Sequence, residues 1–199
     1  MKDIDCRGLN CPEPVLRTKR ALEEEPDAAI NVIVDNETAR ENVQRFARSK
    51  GRKTEWLEKE NTFHIAIGVG IVDETALKAG NLESLPSKEG PVLLISTDQL
   101  GQGSSELGLL LMRNFIYTLT KRDDLPRAII FMNSGVRLSI AGSAVIEELE
   151  ELSSKGVTIL VCGTCLDYYE LKSEHKAGLV SNMYDIADLL LAAEKVVTV

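Results

Sequence analysis

Residues 5–22 read DCRGLNCPEPVLRTKRAL, and this stretch decides how the amino-terminal part of the chain folds. Two prolines follow Cys11 within three residues, and both suit the first turn of a helix, where a missing backbone N–H is tolerated. The stretch therefore predicts a helix over residues 12–24 with Cys11 as its N-cap. A thiol at an N-cap faces unpaired N–H groups and the positive end of the helix dipole, which favours the thiolate that attacks sulfur.

Charged neighbours act on that thiolate in opposite directions. Glu13 opposes it as a like charge, whereas Arg7, Arg17 and Lys19 support it. An alternative interpretation stays open, in which the prolines mark a helix start and the cysteine beside them has no chemical role.

The composition limits the class of protein. The 199 residues include 23 basic and 31 acidic side chains, and the net charge of −8 argues against a nucleic-acid surface. No apolar run approaches the roughly 20 residues that cross a bilayer, and the chain starts without a leader pattern, so we expect a cytoplasmic protein. Four cysteines are too few for a disulfide scaffold, which indicates free thiols. Of these, Cys6 is best interpreted as a small buried apolar side chain rather than a resolving thiol.

The chain divides where regular apolar spacing fades and glycine and proline accumulate. We predict two domains, residues 1–70 and 91–199, joined by a linker over residues 71–90. The first domain has the order strand, helix, strand, helix and hairpin, with the hairpin turning at Glu60 and Asn61. This βαβαββ pattern predicts a two-layer sandwich in which both helices cover one face of a four-stranded sheet.

The second domain contains short, nearly continuous apolar runs separated by helical segments. Such runs suit parallel strands covered on both faces, so we predict a three-layer α/β sandwich with a mostly parallel sheet. The predicted strands are residues 92–96, 128–132, 157–161 and 196–199, and the predicted helices are residues 104–121, 139–155 and 183–194. The loops at 96–103, 133–136 and 162–169 meet at the carboxyl edge of this sheet, where open α/β sheets place their sites.

A pair of cysteines, Cys162 and Cys165, begins the last of these loops in the sequence CGTCLDYY. Their spacing admits a redox dithiol, half of a zinc site, or a nucleophilic thiol with a neighbour. Zinc is disfavoured, because its ligand shell would have to be completed by Cys6 and Cys11 from the other domain, or by His64 and His175. His64 is expected on the outer face of the hairpin and His175 in a polar, solvated stretch, so neither is predicted as a ligand. We predict neither a metal nor a cofactor.

The amino-terminal motifs carry a resemblance. The Arg-Gly-Leu, Cys-Pro-x-Pro and Thr-Lys pieces within residues 5–22 occur in the order found in the TusA/SirA-like family of small sulfur carriers, and the likeness extends over about the first 70 residues. The resemblance implies that Cys11 carries sulfur as a persulfide and passes it to a cysteine of another protein. The supporting residues that this motif supplies around Cys11 are Arg7, Gly8, Pro12, Glu13, Pro14 and Lys19, of which Glu13 alone opposes the charge of the thiolate.

Residues 90–199 resemble the DsrE-like family, with looser motifs. In that family a reactive cysteine ends the strand matched here by residues 157–161, which implies that role for Cys162, with Cys165 as the adjacent candidate. The resemblance also implies a homo-oligomer formed through this domain.

The order of the two domains is similar to that of the two-domain YedF-type proteins, which are sulfurtransferase-like and linked to selenium metabolism. The resemblance implies a sulfur carrier or sulfurtransferase that relays persulfide sulfur, or selenium, between a desulfurase-like donor protein and an acceptor protein. The side chains themselves do not distinguish sulfur from selenium.

Two other functions fit the residues. One is a non-catalytic regulatory or interaction protein whose thiols sense oxidation, and equal alkylation rates for all four cysteines would favour it. The other is a dithiol oxidoreductase based on Cys162 and Cys165, which a redox titration without a disulfide between them would exclude.

Overall fold

The computed structural model describes residues 2–71 and 90–199. The chain divides into two compact units, Met1–Leu85 and Pro86–Val199. The predicted linker at residues 71–90 lies outside the described residues except at its two ends, so the predicted domain limits stay predictions. No helix of the described part is long and apolar enough to cross a membrane.

The first unit has the predicted βαβαββ order. Its elements are β1 (Lys2–Asp5), α1 (Glu13–Glu24), β2 (Ile30–Val34), α2 (Glu37–Ser49), β3 (Arg52–Lys59) and β4 (Thr62–Ile71). The strands form one sheet in the order β1-β2-β4-β3, in which β1 runs parallel to β2 and the other neighbours are antiparallel. The sandwich of two helices on a four-stranded sheet is therefore confirmed.

Local sequence explains these elements. The side chain of Asn36 accepts a hydrogen bond from the N–H of Ala39 at 2.8 Å and so caps the start of α2. Glu60 and Asn61 both have positive φ angles, 52° and 58°, as the two central residues of a tight hairpin turn require. The alternating residues of β2 are buried in the core of this unit.

The second unit is built on a parallel sheet. Its strands are β5 (Val92–Ile95), β6 (Ala128–Phe131), β7 (Thr158–Cys162), β8 (Leu179–Ser181) and β9 (Val196–Thr198). Its helices are α3 (Ser105–Thr120), α4 (Ile146–Ser154), α5 (Gly163–Tyr168) and α6 (Met183–Leu191), with 3₁₀ turns at Asn133–Ser139 and Lys172–Glu174. The strand order is β8-β7-β6-β5-β9, and every neighbouring pair is parallel.

The strand order places helices on both faces of this sheet. The connections from β5 to β6 and from β6 to β7 step in one direction, whereas the connection from β8 to β9 returns to the opposite edge. Because parallel crossovers are right-handed, α3 and α4 cover one face and α6 covers the other. The predicted α/β class with a parallel, helix-covered sheet is confirmed.

Two predicted segments of the second unit were wrong, and one strand was not predicted. The helix predicted at residues 139–155 begins only at Ile146, because Ile140 is extended and pairs with His175, and Gly142 has a φ of 83°. Residues 163–168 were predicted as loop but form α5, and β8 was not predicted. Both missed elements are short, and three to six residues carry little periodic signal.

Candidate functional site

Cys11 lies one residue before the N-cap of α1 and not at the N-cap, where it was predicted. The carbonyl of Pro12 accepts the hydrogen bond from the N–H of Leu16 at 3.0 Å, so Pro12 and not Cys11 is the N-cap of α1. The N–H of Glu13 donates to the carbonyl of Asn10 at 2.9 Å. One of the N–H groups expected to face the thiol is thereby used by the loop itself, which corrects the predicted N-cap role of Cys11.

The loop before Cys11 has a fixed shape. The N–H of Leu9 donates to the carbonyl of Cys6 at 3.3 Å, and Gly8 sits inside this turn with a φ of 70°, which glycine adopts without strain. The N–H of Gly8 also donates to the carboxylate of Asp35 at 2.6 Å. These bonds tie the loop to the end of β2 and hold Cys11 half-buried at the unit's surface.

The cations predicted to support Cys11 are paired with anionic groups. Arg7 donates through Nε and Nη2 to the carboxylate of Asp5 at 2.9 and 2.6 Å, and this pairing lowers the pKa of Asp5 to about 2. Arg17 donates to Glu13 at 3.2 Å and to the backbone carbonyl of Asp5 at 3.1 Å. The positive charge near Cys11 is therefore balanced locally, and the arginines brace the loop.

The other predicted supporting residues lie in the first turns of α1. Pro14 is buried within the first turn, beside the N-cap Pro12. Lys19 lies further along the helix, where its ammonium group is 3.9 Å from the carboxylate of Glu23. The structure thus places the residues of the motif around one loop and helix start, with Lys19 at its far side.

Cys6 is separated from this chemistry by burial. Its residue surface is only 1% exposed, and burial raises the pKa of its thiol to about 11. Its N–H donates to the carbonyl of Ile33 at 2.8 Å, which continues the pairing of β1 with β2. The interpretation of Cys6 as a small buried side chain is confirmed.

The cysteines of the second unit occupy the junction of β7 and α5. Cys162 ends β7, forms the N-cap of α5, and is 2% exposed. Cys165 is the third residue of α5 and is half-buried. Of these two candidates, Cys165 is therefore the more exposed residue.

A backbone donor from the neighbouring strand faces Cys165. Asn133 follows β6 in a left-handed conformation, with a φ of 48°, and its N–H lies 3.1 Å from the Cys165 sulfur, to which it donates. Its side-chain carbonyl accepts a hydrogen bond from the hydroxyl of Tyr169 at 2.6 Å, and the guanidinium of Arg137 lies 5.0 Å from the centre of that ring. An N–H that donates to sulfur interacts more strongly with a thiolate than with a thiol.

The position of Asn133 depends on close packing behind it. A Cβ atom at Gly135 would lie 2.4 Å from the carbonyl oxygen of Ile95, so only glycine lets this turn approach the end of β5. The N–H of Met132 donates to the same oxygen at 3.0 Å. The ends of β5, β6 and β7 are in this way fixed against one another at the carboxyl edge of the sheet.

Sequence reasoning placed the loop at residues 133–136 beside the cysteine pair but missed the individual groups. Neighbouring parallel strands predict that the exits of β6 and β7 lie together. They do not predict that the backbone N–H of Asn133 points at Cys165 or that Tyr169 holds the side-chain amide of Asn133. Among residues 2–71 and 90–199, no group of three or more histidine, cysteine or acidic side chains could hold a metal ion.

Comparison with known proteins identifies the first unit. Residues 2–69 match the family model described as sulfurtransferase TusA. The chain belongs to this family. A "Putative sulfur carrier protein" of Methanocaldococcus jannaschii is 42% identical over 69 residues, which are 34% of this chain and 92% of that protein. A protein of the same description from Archaeoglobus fulgidus is 35% identical over 75 residues, 37% of this chain and 97% of that one.

The second unit matches a different family. Residues 102–199 match the model of the DsrE/DsrF-like family. Among solved structures, a SirA-like protein of Desulfitobacterium hafniense is 40% identical with a TM-score of 0.34, and covers 35% of this chain and 99% of its own. The ychN protein of E. coli is 18% identical with a TM-score of 0.44, and the match covers 56% of this chain and 100% of the ychN chain. At the level of the families, these matches connect the chain with sulfur relay.

Proposed function

We propose that this member of the TusA family carries persulfide sulfur on Cys11, which accepts it from a donor protein and passes it to a cysteine of an acceptor protein. The observation that carries the proposal is a half-buried thiol held by a braced loop, inside the segment that matches the family model. Buried Cys6, in the same loop, cannot meet a partner in the folded chain.

The transfer needs no group beyond the two thiols. The Cys11 thiolate attacks the outer sulfur of a donor persulfide, a new S–S bond forms, and the donor cysteine leaves as a thiolate. Transfer to the acceptor repeats the step with Cys11 as the leaving group. A selenium atom in the same position would follow the same steps, so the atom carried depends on the donor.

In the second unit the proposal assigns the sulfur-carrying role to Cys165 rather than Cys162. Cys165 is half-buried and receives the N–H of Asn133, whereas Cys162 is enclosed at the end of β7. Sulfur exchange between proteins requires a sulfur that the partner's sulfur can approach in line, which favours the accessible thiol.

Digestion with trypsin separates the candidate thiols. Cleavage after lysine and arginine leaves Cys6 in residues 3–7, Cys11 in residues 8–17 and the Cys162 and Cys165 pair in residues 156–172. After incubation with a cysteine desulfurase and cysteine, we expect the peptide 8–17 to gain about 32 Da, the mass of one sulfur, while the peptide 3–7 stays unchanged. A chain in which neither 8–17 nor 156–172 gains sulfur would be better described as a regulatory or interaction protein.

The proposed relay also includes a homo-oligomer formed through the second unit. The outer side of α3 exposes a stripe of large apolar residues at positions i, i+3, i+4 and i+10, which are Leu107, Leu110, Leu111 and Tyr117. Contiguous exposed apolar surface of this kind is typical of protein interfaces, whereas scattered exposed residues need no partner. A second copy of the chain is the partner we propose for this stripe.

A charge placed in the stripe should dissociate the oligomer. Leu110 is 52% exposed, so Leu110→Lys leaves the core intact but puts an unpaired ammonium group into the proposed interface. We expect wild type to elute above 21.9 kDa in light-scattering chromatography and the variant to elute as a monomer. Leu191→Lys is the matched control, since this 86% exposed leucine lies on α6 and should leave the assembly unchanged. A monomeric wild type would refute the proposal.

A further inference from the structure

Cys162 and Cys165 stand at two adjoining positions of the first turn of α5. Cys162 is the N-cap of α5 and Cys165 is the third residue after it. The N-cap and the third position adjoin across the first turn of a helix, where each side chain can reach the backbone N–H of the other residue, and the Cys162 side chain makes no such capping hydrogen bond here. Two cysteines in this arrangement, with two residues between them, are spaced as in dithiols that form a reversible disulfide.

The two sulfurs differ in access. Cys165 is half-buried and accepts the N–H of Asn133, so an incoming partner can reach it. Cys162 is 2% exposed, so a partner protein does not reach it, and Cys165 is the other cysteine of the same helical turn. An accessible thiol with an enclosed thiol beside it is the arrangement of an attacking and a resolving cysteine.

We propose that Cys162 discharges a persulfide carried on Cys165, so that this unit releases hydrosulfide and ends as an intramolecular disulfide. The proposal rests on the proposed function, because it requires that Cys165 first receives a sulfur atom. It adds a second outcome to the relay: sulfur that no acceptor collects leaves as hydrosulfide.

The step balances without an external oxidant. The Cys162 sulfur attacks the inner sulfur of the Cys165 persulfide, the bond between the two persulfide sulfurs breaks, and a bond between Cys162 and Cys165 forms. The outer sulfur takes both electrons of the broken bond and leaves as HS⁻, keeping the proton that the Cys162 thiol gives up. The outer sulfur is reduced and the Cys162 sulfur is oxidised, while the Cys165 sulfur exchanges one S–S bond for another, so a dithiol reductant is needed only to restore the unit.

The geometry also favours the reverse reaction at one sulfur. Hydrosulfide added to the disulfide can approach Cys165 from solvent but not the enclosed Cys162. Attack at Cys165 returns the persulfide to that residue and releases Cys162 as the thiol. The proposal is therefore testable from both directions and without a donor protein.

The first experiment starts from oxidised protein. In a glutathione redox buffer we expect the peptide 156–172 to become about 2 Da lighter and to resist iodoacetamide, as a disulfide within one peptide requires. Sodium hydrosulfide added to this form should give a peptide with one extra sulfur located on Cys165. Failure of the disulfide to form at any buffer ratio overturns the proposal, as does a persulfide that forms on Cys162.

The second experiment follows discharge in the full chain loaded by a desulfurase. Wild type should release up to one hydrosulfide for each persulfide on the peptide 156–172, whereas Cys162→Ala should retain the sulfur and release it at least about tenfold more slowly. Cys6→Ala, a matched change at the other buried cysteine, should behave as wild type. Equal release from wild type and Cys162→Ala overturns the proposal. Loading of Cys11, read on the peptide 8–17, reports separately on the proposed function.

Discussion

A Cys11→Ser variant is expected to transfer sulfur to an acceptor at least about a thousandfold more slowly than wild type, because the loss of a nucleophile removes the covalent step itself. A serine hydroxyl has nearly the size of the thiol but does not ionise near neutral pH and does not form a persulfide. The loop that holds residue 11 depends on Gly8, Asp35 and backbone groups and should keep its shape.

Radioactive sulfur from labelled cysteine gives the measurement. Wild type and Cys11→Ser are loaded by the same desulfurase and then mixed with an acceptor thiol, and the label on the acceptor is followed in time. Cys6→Ala is the control, since it removes a thiol of the same unit that lies outside the proposed path. A Cys11→Ser chain that still labels the acceptor at the wild-type rate would move the transfer to Cys165 or to no cysteine of this chain.

The elements marked by a regular apolar spacing or by turn residues were predictable from the sequence. The alternation of apolar and other residues predicted β2 at residues 30–34, and both limits agree with the structure. The hairpin turn predicted at Glu60 and Asn61 lies where two consecutive residues have positive φ angles. The early part of the helix predicted at residues 139–155 failed for a physical reason. Its apolar spacing is helical, but the bridge between Ile140 and His175 holds the chain extended, and that contact joins residues far apart in sequence.

The positions of the candidate cysteines in the fold were predictable from the sequence, but their hydrogen bonds were not. The motif indicated Cys11, and the adjoining strands indicated where Cys162 and Cys165 lie. The difference in access between that pair depends on the helix that begins at Gly163, which was not predicted. Likewise, the proline pair indicated a helix start correctly, but the bond from Glu13 to Asn10 moved the N-cap by one residue.

The first unit should also lose stability in alkali because of Cys6. Burial raises the pKa of this thiol in the folded state from 9.0 to about 11, so the folded chain holds the proton more tightly than the unfolded chain does. The stabilising contribution is present in full below pH 9 and is lost as the pH rises through 11. A difference of 11 − 9 = 2 pKa units corresponds to about 3 kcal/mol in the free energy of unfolding.

Urea titrations at pH 8 and pH 11 test this prediction with a probe confined to the first unit. Trp56 is the chain's single tryptophan and packs against Phe63 and the guanidinium of Arg40, so its fluorescence reports the unfolding of this unit. Cys6→Ala should cost some stability at both pH values through its cavity but should lack the alkaline loss due to the thiol. The raised pKa of Lys2 beside Glu25 acts in the same direction in both chains and cancels in their difference. Between pH 8 and pH 11, the gap between the two unfolding free energies should shift by about 2 kcal/mol in favour of Cys6→Ala, because half of the folded thiols are still protonated at pH 11. Parallel curves would show that Cys6 ionises in the folded chain as easily as in the unfolded one.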